Sequence, residues 1–530
     1  MTIRRRTVLG AAVLAAPAVR SAAAQGRRET LLLISENPPN STDIHGVGAN
    51  RPAYEASWNL YDRLMTFGAK KDANGNDHYD HRSLRPELAE EWELGPMSAT
   101  FRLRRDAKFQ DGTPVTAQDV KWSFDRAVTV GGFPTFQMAA GSLEKPEQFV
   151  AVDERTFRVD FLRRDKLTMP DLAVPVPVVI NSGLAKRHAT AQDPWAMDWL
   201  RSNPAGSGAF RLERWVPGQE MVFARNDAWA QGPRPALARV IWRIVPQAGN
   251  RRALLERGDA DISFDLPPKD FAEMRQARRL RVVSTPVENA LQYVGMNCAR
   301  PPFDNAKVRQ AVAHAVPYER IMEQAAFGQA APMFGGPARP DSAAWPQPSP
   351  FRTDLDRARA LLAEAGHPNG FETTLSFDLG LATVNEPVAL ALAENLGRIG
   401  IRTTINKVPG ANWRNELLKK EMPLIANNFG GWLNFPDYFF FWGYHGQNAV
   451  FNTMSYRSPA MDALIDRSRF AEDPAAYEEA VKGFVGLAWE DAPRVPLFQP
   501  YLNVAMQQGI TGYRYWFHRQ LDYRTLSKAA

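Results

Sequence analysis

The sequence predicts an α/β protein built from more than one domain, and three observations lead to that prediction. The chain has 530 residues, which is more than one hydrophobic core normally supports. In its C-terminal half, apolar residues alternate over 375–379 and again over 401–405, as in half-buried strands. Between these runs, Asn385 and Pro387 open a predicted helix that ends at Gly400. A strand, a long helix and a second strand indicate a parallel crossover.

The N-terminal segment predicts export from the cytoplasm. Arg4, Arg5 and Arg6 precede an apolar run, Val8–Val19, and Ala24 stands at a small-residue cleavage site. The run is too short to cross a bilayer as a helix, so we expect a removable signal that is cut after Ala24. The paired arginines favour twin-arginine export, and an ordinary Sec signal is the alternative. The mature chain is therefore expected to be a soluble periplasmic protein.

Charge and cysteine content limit the partners that the chain could have. The formal net charge is +6, and removal of the four arginines in the predicted signal, which carries no acidic residue, leaves +2. So small a charge gives no support for nucleic acid or a membrane surface as a partner. The single cysteine, Cys298, excludes an internal disulfide.

Sequence motifs of common catalytic and metal centres do not occur in this sequence. It contains no G-x-x-x-x-G-K-[ST], H-E-x-x-H or G-x-S-x-G run, so we do not expect ATP hydrolysis here. His78 and His81 have the spacing of a metal pair, but their segment is predicted to be a polar loop and two histidines alone are a weak signal. We therefore expect no metal, no other cofactor and no catalytic residue.

Residues 86–127 predict a strand, a turn and a capped helix, in that order. Phe101 and Leu103 alternate with arginines, as in a half-buried strand. An Asp-Gly turn follows. Thr116 and Asp119 then stand three residues apart, which is the spacing of a capping box, and apolar residues recur at helical intervals behind them.

The order of these elements closely resembles the signature of the family 5 extracellular solute-binding proteins, the peptide- and nickel-type receptors of ABC importers. Three more blocks resemble that family in the same order, namely Gly206–Trp229, Gly258–Ile262 and Val294–Val316. The resemblance extends over nearly the whole mature chain. It implies a two-lobed periplasmic binding protein (a flytrap) of α/β class, with an extra subdomain inserted in the first lobe.

The resemblance also implies a division of the chain and a mode of action. Ligand would bind between the lobes and bias an open–closed equilibrium through its additional contacts in the closed form. The closed form would then dock on a membrane permease. The expected parts are a signal over 1–24, lobe I over 25–49, 186–291 and 502–530, the inserted subdomain over 50–185, lobe II over 297–494, and hinge segments over 292–296 and 495–501.

The predicted ligand pocket lies in residues 411–444. Trp413 and Trp432 have the spacing of two tryptophans that line the ligand cavity in peptide-binding members of the family. In those members an aspartate three residues after the second tryptophan binds the amino terminus of the peptide. Phe435 occupies that position here, and Asp437 follows two residues later. A carboxylate at 437 that faced the cleft would favour a cationic or hydroxyl-rich ligand.

The same segment places aromatic rings beside amide side chains. Flat apolar faces together with amides suit sugars or mixed apolar and polar molecules. The alternative is that many of these rings only fill the core of the lobe. The candidate ligand-binding residues are Trp432, Trp413, Asp437, Asn434, Phe435 and Tyr438, with Glu36 and Tyr293 from segments that skirt the predicted cleft.

Several functions are compatible with this pattern. The main prediction is the periplasmic substrate-binding component of an ABC importer. It would be a monomer that binds a small solute, peptide-like by family default, and delivers it to inner-membrane permease subunits. An oligosaccharide or opine-like solute is the alternative. A secreted hydrolase would need two carboxylates or a nucleophile and base at the cleft, where the sequence offers only Asp437. A chaperone-like binder would need contacts to the backbone of extended chains.

Overall fold

One long strand joins the two halves of the protein. The computed structural model describes residues 28–337, 343–448 and 450–529, so the predicted export signal lies outside the described residues. Arg494–Met506 pairs antiparallel with Ala290–Met296 in its first part and with Arg281–Pro286 in its last part. The chain therefore crosses between two main sheets within a single strand. We call the half that contains the strands Thr30–Ser35 and Arg239–Ile244 the first lobe, and the half that contains the strands Glu372–Asp378 and Leu424–Gly430 the second lobe.

The first lobe is built on a mixed sheet. Thr30–Ser35 pairs parallel with Arg239–Ile244, and both Leu31 and Leu33 on that strand are completely buried. Alternate apolar residues of the strand thus face the core. In spatial order the strands are Phe210–Val216, Glu220–Arg225, Arg239–Ile244, Thr30–Ser35, Ile262–Ser263 and the shared strand, which Arg281–Pro286 also joins.

A smaller antiparallel sheet and a helix contain the strand and helix predicted for residues 86–127. The helix is Ala117–Thr129, and the Thr116 side chain accepts from the Asp119 amide while the Asp119 carboxylate accepts from the Thr116 amide. The predicted capping box is therefore confirmed. Phe101 and Leu103 are completely buried beneath the helix. In spatial order the strands are Ala89–Leu94, Ser98–Leu103, Thr156–Asp160 and Phe149–Ala151.

The segment around His78 and His81 is a strand, so its prediction as a polar loop is wrong. The turn is confined to the residues just before the strand, where the Asp72 carboxylate accepts hydrogen bonds from two backbone amides. Both histidines lie beyond that turn on the strand, where His78 pairs with Lys70 and His81 lies in an irregularity of the register. Among the described residues, no three His, Cys, Asp or Glu side chains are grouped so that they could hold a metal ion. The strands of this sheet are Met65–Lys71, Asp77–Pro86 and Arg514–Tyr515.

The second lobe contains the parallel pair that the sequence predicts. Glu372–Asp378 lies beside Arg402–Val408, with residue 372 opposite residue 402. The pairing is parallel, so this prediction is confirmed. In spatial order the strands are Arg402–Val408, Glu372–Asp378, Leu424–Gly430, Ala290–Met296 and the shared strand, which Ala330–Pro332 also joins.

The helix between these two strands begins earlier than the sequence predicts. It spans Ala382–Arg398, so Asn385 and Pro387 lie inside it and the predicted start is wrong. The cause is the residue that ends the preceding strand. The Asp378 carboxylate accepts from a backbone amide of the short 3₁₀ turn Leu379–Leu381, and that turn leads directly into the helix.

The remaining helices surround these sheets. None of the helices within the described residues has both the length and the apolar character needed to span a membrane. On the first-lobe side they are Arg51–Leu60, Gly132–Ala140, Thr168–Asp171, Ser182–Lys186, Met197–Leu200, Ala248–Arg257 and Pro268–Ala277, with the 3₁₀ turn Pro146–Gln148. On the second-lobe side they are Ala306–Ala315, Tyr318–Gln324, Leu355–Glu364, Gly410–Lys419, Pro436–Gly443, Pro459–Arg469 and Pro474–Asp491. Two short strands, Ile510–Thr511 and Ser527–Lys528, pair near the C-terminus.

Candidate ligand-binding cleft

Two adjoining cavities lie between the lobes. Their volumes are about 190 Å³ and about 280 Å³. Arg51 of the first lobe and four residues of the second, Arg414, Phe429, Gly430 and Phe451, line both of them. Because the cavities share these walls, we treat them as one space and call it the interlobe cleft. Small-molecule sites usually have volumes of roughly 300–1,000 Å³, so the cleft suits a small solute.

Trp432 of the second lobe is held between two aromatic rings of the first. Its ring meets Tyr54 at 5.5 Å and Phe133 at 4.9 Å between centroids, both nearly perpendicular. Edge-to-face pairs at such distances are favourable beyond simple burial. The contact leaves Trp432 only 6% exposed, and the ring lines the smaller cavity.

Two glycines allow this close approach. The strand Leu424–Gly430 ends beside Arg519, and a methyl group on Gly430 would collide with that guanidinium. A methyl group on Gly431 would collide with the ring of Tyr438. Any residue larger than glycine would therefore force these side chains, or the chain that carries Trp432, to shift.

Tyr438 adds a polar contact between the lobes. Its hydroxyl donates to Oε1 of Gln137 on the first lobe at 3.0 Å. The ring lines the smaller cavity, and burial raises the pKa of the hydroxyl well above its usual range. The hydroxyl therefore stays protonated and remains a hydrogen-bond donor at neutral pH.

The larger cavity contains two more of the predicted residues, Trp413 and Tyr293. Trp413 lies on the helix Gly410–Lys419 and is 7% exposed, and Tyr293 lies on the central strand of the second lobe. The Tyr293 hydroxyl is 3.2 Å from Nδ2 of Asn427 and 3.2 Å from Oγ1 of Thr453. The structure thus brings four predicted residues to the cleft: Trp413, Trp432, Tyr438 and Tyr293.

Asp437 lines neither cavity. Its Oδ1 accepts from the Tyr477 hydroxyl at 3.0 Å, and its Oδ2 lies 3.5 Å from Nζ of Lys166 on the first lobe. Burial raises the pKa of this carboxyl, and the charge of Lys166 opposes that rise. The carboxylate therefore serves a contact between the lobes outside the cleft.

The other predicted residues also lie away from the two cavities. Phe435 packs edge-on against His81 with 6.2 Å between ring centroids. Glu36 forms an ion pair with Arg251 at 2.9 Å. Asn434 is half-buried in the turn that precedes the helix Pro436–Gly443 and lines neither cavity.

The arginines of the cleft were not predicted from the sequence. Arg51 and Arg414 line both cavities, and Arg519 lines the larger one. Arg414 directly follows Trp413, so the pocket segment itself contained that signal. Arg51 and Arg519 come from opposite ends of the chain, and only the fold brings them together. Tyr54 and Phe133 were missed for the same reason.

A larger depression lies on the first lobe alone. Its volume is about 1,070 Å³, and its walls include Trp199, Trp215 and Pro204. No residue of the second lobe lines it. Closure of the lobes would therefore not enclose a molecule bound there, which favours the interlobe cleft as the site.

Residues 83–451 match the profile of the bacterial extracellular solute-binding proteins, family 5, described for the middle region of that family. The chain belongs to this family. Family 5 proteins are two-lobed periplasmic solute-binding proteins of ABC importers, so the predicted family, fold and class of function are confirmed.

Relatives of this family 5 protein are similar along most of their length. The probable D,D-dipeptide-binding periplasmic protein DdpA of Escherichia coli (strain K12) is 27% identical over 494 residues, which cover 91% of each chain. The glutathione-binding protein GsiB of Escherichia coli O157:H7 is 26% identical over 441 residues, 81% of this chain and 83% of that protein.

Solved structures agree with the fold of this family 5 protein. The periplasmic binding protein DppA from Helicobacter pylori, in complex with the peptide STSA, superposes with a TM-score of 0.79 at 21% identity, covering 94% of this chain and 98% of that one. The binding protein AgaA from A. tumefaciens, in complex with agropinic acid, gives 0.78 at 25% identity, covering 94% and 99%.

Proposed function

We propose that this protein captures one small solute between its lobes and delivers it to the permease subunits of an ABC importer. The observation that carries the proposal is the insertion of Trp432 between Tyr54 and Phe133 of the opposite lobe. A solute in the interlobe cleft touches both lobes only when they are closed. Its binding therefore shifts the equilibrium toward the closed form that a permease would recognise.

We further propose that the protein binds its solute reversibly and catalyses no reaction. The side chains that line the two cavities include one carboxylate, Asp378, and no histidine or cysteine. Hydrolysis of a glycosidic bond would need a second carboxylate, and acyl transfer would need a nucleophile with its base. Reversible binding is the activity that this set of side chains supports best.

The remaining expectations are part of the same proposal. The chain would be exported by the twin-arginine route, lose its signal after Ala24 and act as a monomer that does not bind nucleic acid. Lobe II over 297–494 and the inserted subdomain over 50–185 remain proposed boundaries. The shared strand Arg494–Met506 supports a crossing of the chain near 495–501.

The solute is proposed to be a small amino-acid derivative. A peptide is the family default, and the names of DdpA and GsiB refer to a dipeptide and to glutathione. An opine-like conjugate is the second candidate, because Phe435 replaces the acid that would bind a peptide amino terminus. Asp437 does not compensate for that loss, since its carboxylate faces Lys166 and Tyr477.

A thermal-shift screen of peptides, amino-acid conjugates and oligosaccharides tests the proposal. A solute that binds only the folded protein raises its melting midpoint. For the solute that raises it most, we expect Trp432→Ala to weaken affinity at least about tenfold, because the ring lines the smaller cavity and contacts both lobes there. Titration calorimetry measures the affinity, and small-angle X-ray scattering measures closure of the lobes.

Trp215→Ala is the matched control for this test. It removes a tryptophan from the depression on the first lobe and leaves the interlobe cleft intact. We expect it to keep the affinity of the natural protein. Loss of affinity in Trp215→Ala, with full affinity in Trp432→Ala, would move the site to the first lobe and refute the proposal. Recovery of a cleaved product would also refute it.

A further inference from the structure

We infer that the solute held in the interlobe cleft carries a carboxylate, which binds to Arg51, Arg414 and Arg519. The inference rests on the proposed function and specifies the chemistry of its ligand. Three guanidinium groups line the two cavities, and none of them forms an ion pair with a carboxylate of the described residues. Arg524, five residues after Arg519, by contrast forms ion pairs with Asp522 and Glu87.

Arg519 shows the missing partner most clearly. The side chain is half-buried against Gly430, and its Nε is buried without a hydrogen-bond partner. A buried donor with no acceptor is costly in a folded protein. A bound carboxylate would supply that acceptor, since it matches the planar fork of a guanidinium.

Arg51 places a second positive charge beside the first. The side chain is accessible to solvent, yet it lies deep enough in the cleft that loss of hydration lowers its pKa. Within the described residues its one hydrogen bond is long, 3.4 Å from Nη1 to the carbonyl of His518. Burial, together with the charge of Arg51, lowers the pKa of Arg519 to about 9. The free protein thus holds two uncompensated like charges that an anion would neutralise.

Arg414 brings positive charge from the second lobe. It lies on the helix Gly410–Lys419 and lines both cavities. It is also close enough to Tyr54 on the first lobe to lower the pKa of that hydroxyl, although burial raises that pKa overall. A carboxylate in the cleft would therefore attract both lobes at once, which links recognition of the charge to closure.

The cleft contains one opposing charge, Asp378. Its Oδ1 accepts from the Gly380 amide at 2.8 Å, and the residue caps the turn Leu379–Leu381. One carboxylate against three guanidiniums leaves the cleft positive. Asn427 and Asn428 line the larger cavity as neutral hydrogen-bonding groups, and they suit the uncharged part of the solute.

The test compares probes that differ in charge. The melting midpoint of the full mature protein is measured with the acidic dipeptide N-acetyl-Ala-Glu, its neutral diamide, the cationic amide of Ala-Lys, succinate and inorganic phosphate, all at equal ionic strength. We expect the carboxylate probes to raise the midpoint and the neutral and cationic probes to have little effect. In titrations with the best carboxylate probe, we expect Arg414→Gln and Arg519→Gln each to weaken affinity at least about tenfold.

Arg457→Gln controls for the loss of one arginine in the second lobe. Arg457 is exposed and lines neither cavity, so this variant should bind as the natural protein does. The inference is overturned if no carboxylate probe raises the midpoint, if phosphate alone does, or if both cleft variants keep full affinity. Preference for a neutral or cationic probe, with binding that still depends on Trp432, would overturn it while leaving the proposed function intact.

The stability of the free protein separates a binding role from a structural one. Arg519→Gln removes a charge that has no partner, so the midpoint without ligand should stay unchanged or rise. Arg524→Gln, a few residues further along the same segment, breaks ion pairs with Asp522 and Glu87 and should lower the midpoint. A fall in Arg519→Gln as large as that in Arg524→Gln would assign Arg519 to the fold and contradict the inference.

Discussion

At the scale of single residues, three arginines make the cleft positive, whereas the Asp437 carboxylate lies outside it beside Lys166. The spacing of Trp413 and Trp432 predicted two rings that the structure places at the cleft. The direction of Asp437 could not be predicted in the same way, because it depends on a helix that begins at Pro436 and on Lys166 from another part of the chain. The direction of a charged side chain cannot be predicted from local sequence when its partners are distant along the chain.

Glu55 gives the protein a pH dependence of predictable sign. The carboxyl is buried and accepts from the Tyr523 hydroxyl at 2.7 Å and from the Leu521 amide at 3.2 Å. Burial raises its pKa from 4.5 to about 8. The folded protein therefore binds this proton more tightly than the unfolded chain does. The stabilisation that comes from protonated Glu55 is complete below pH 4.5 and is lost as the pH rises to about 8.

We expect Glu55→Gln to remove this part of the pH dependence, since glutamine stays neutral. One such group changes the free energy of unfolding by at most about 1.4 kcal/mol per pH unit. Urea denaturation at several pH values between 5 and 8 measures the difference between the two proteins. As the pH rises, the free energy of unfolding of the natural protein should fall relative to that of Glu55→Gln. Parallel curves for both proteins would show that Glu55 does not titrate in this range.

At the scale of elements, the sequence predicts well wherever the signal is local. The capping box of the helix Ala117–Thr129 is such a case, because the cap and its partner stand three residues apart. The helix Ala382–Arg398 is the opposite case. Its start was misplaced because a proline such as Pro387 usually marks the first turn of a helix. In the structure, Asp378 at the end of the preceding strand caps a 3₁₀ turn that leads directly into the helix.

The confirmed capping box makes a measurable contribution to stability. Thr116→Ala removes the side-chain acceptor for the Asp119 amide, and loss of an N-cap costs about 1 kcal/mol. We expect the free energy of unfolding in urea to fall by that amount. Thr116→Ser keeps the hydroxyl and should stay within a few tenths of a kcal/mol of the natural protein. An equal loss in both variants would mean that the methyl group, and not the cap, is responsible.

At the scale of the whole molecule, contacts outside the cleft help to hold the lobes together. Arg469 of the second lobe pairs with Asp165 of the first at 3.0 Å, and both side chains are buried. The same guanidinium donates to the carbonyl of Ala140 at 2.7 Å. Removal of one partner from a buried ion pair leaves an uncompensated charge and typically costs about 3–5 kcal/mol. The open form avoids that cost, because water can then reach Arg469.

We therefore expect Asp165→Asn to shift the protein toward the open form. Small-angle X-ray scattering should show a larger radius of gyration than that of the natural protein, and solute affinity should fall. Arg164→Gln is the matched control, since its pair with Glu472 also joins the lobes but is largely exposed to solvent. Exposed pairs contribute little. Identical scattering from Asp165→Asn and the natural protein would show that the pair does not control closure.

The two-lobed architecture was the easiest feature to predict from the sequence, and the charge of the cleft was the hardest. Four sequence blocks in the right order identify the family without any knowledge of contacts. Arg51 and Arg519 stand at opposite ends of the chain, and neither carries a local motif. Only the shared strand Arg494–Met506 and the packing of the lobes around it bring such residues together.

The central claim is that one solute is held between the lobes against Trp432. Native mass spectrometry of the protein purified from the periplasm, beside Trp432→Ala prepared in the same way, tests it most directly. We predict that the natural protein carries one small solute per chain, released intact on denaturation, and that the variant carries none. Equal occupancy in the two proteins, or release of a cleaved product, would contradict the claim.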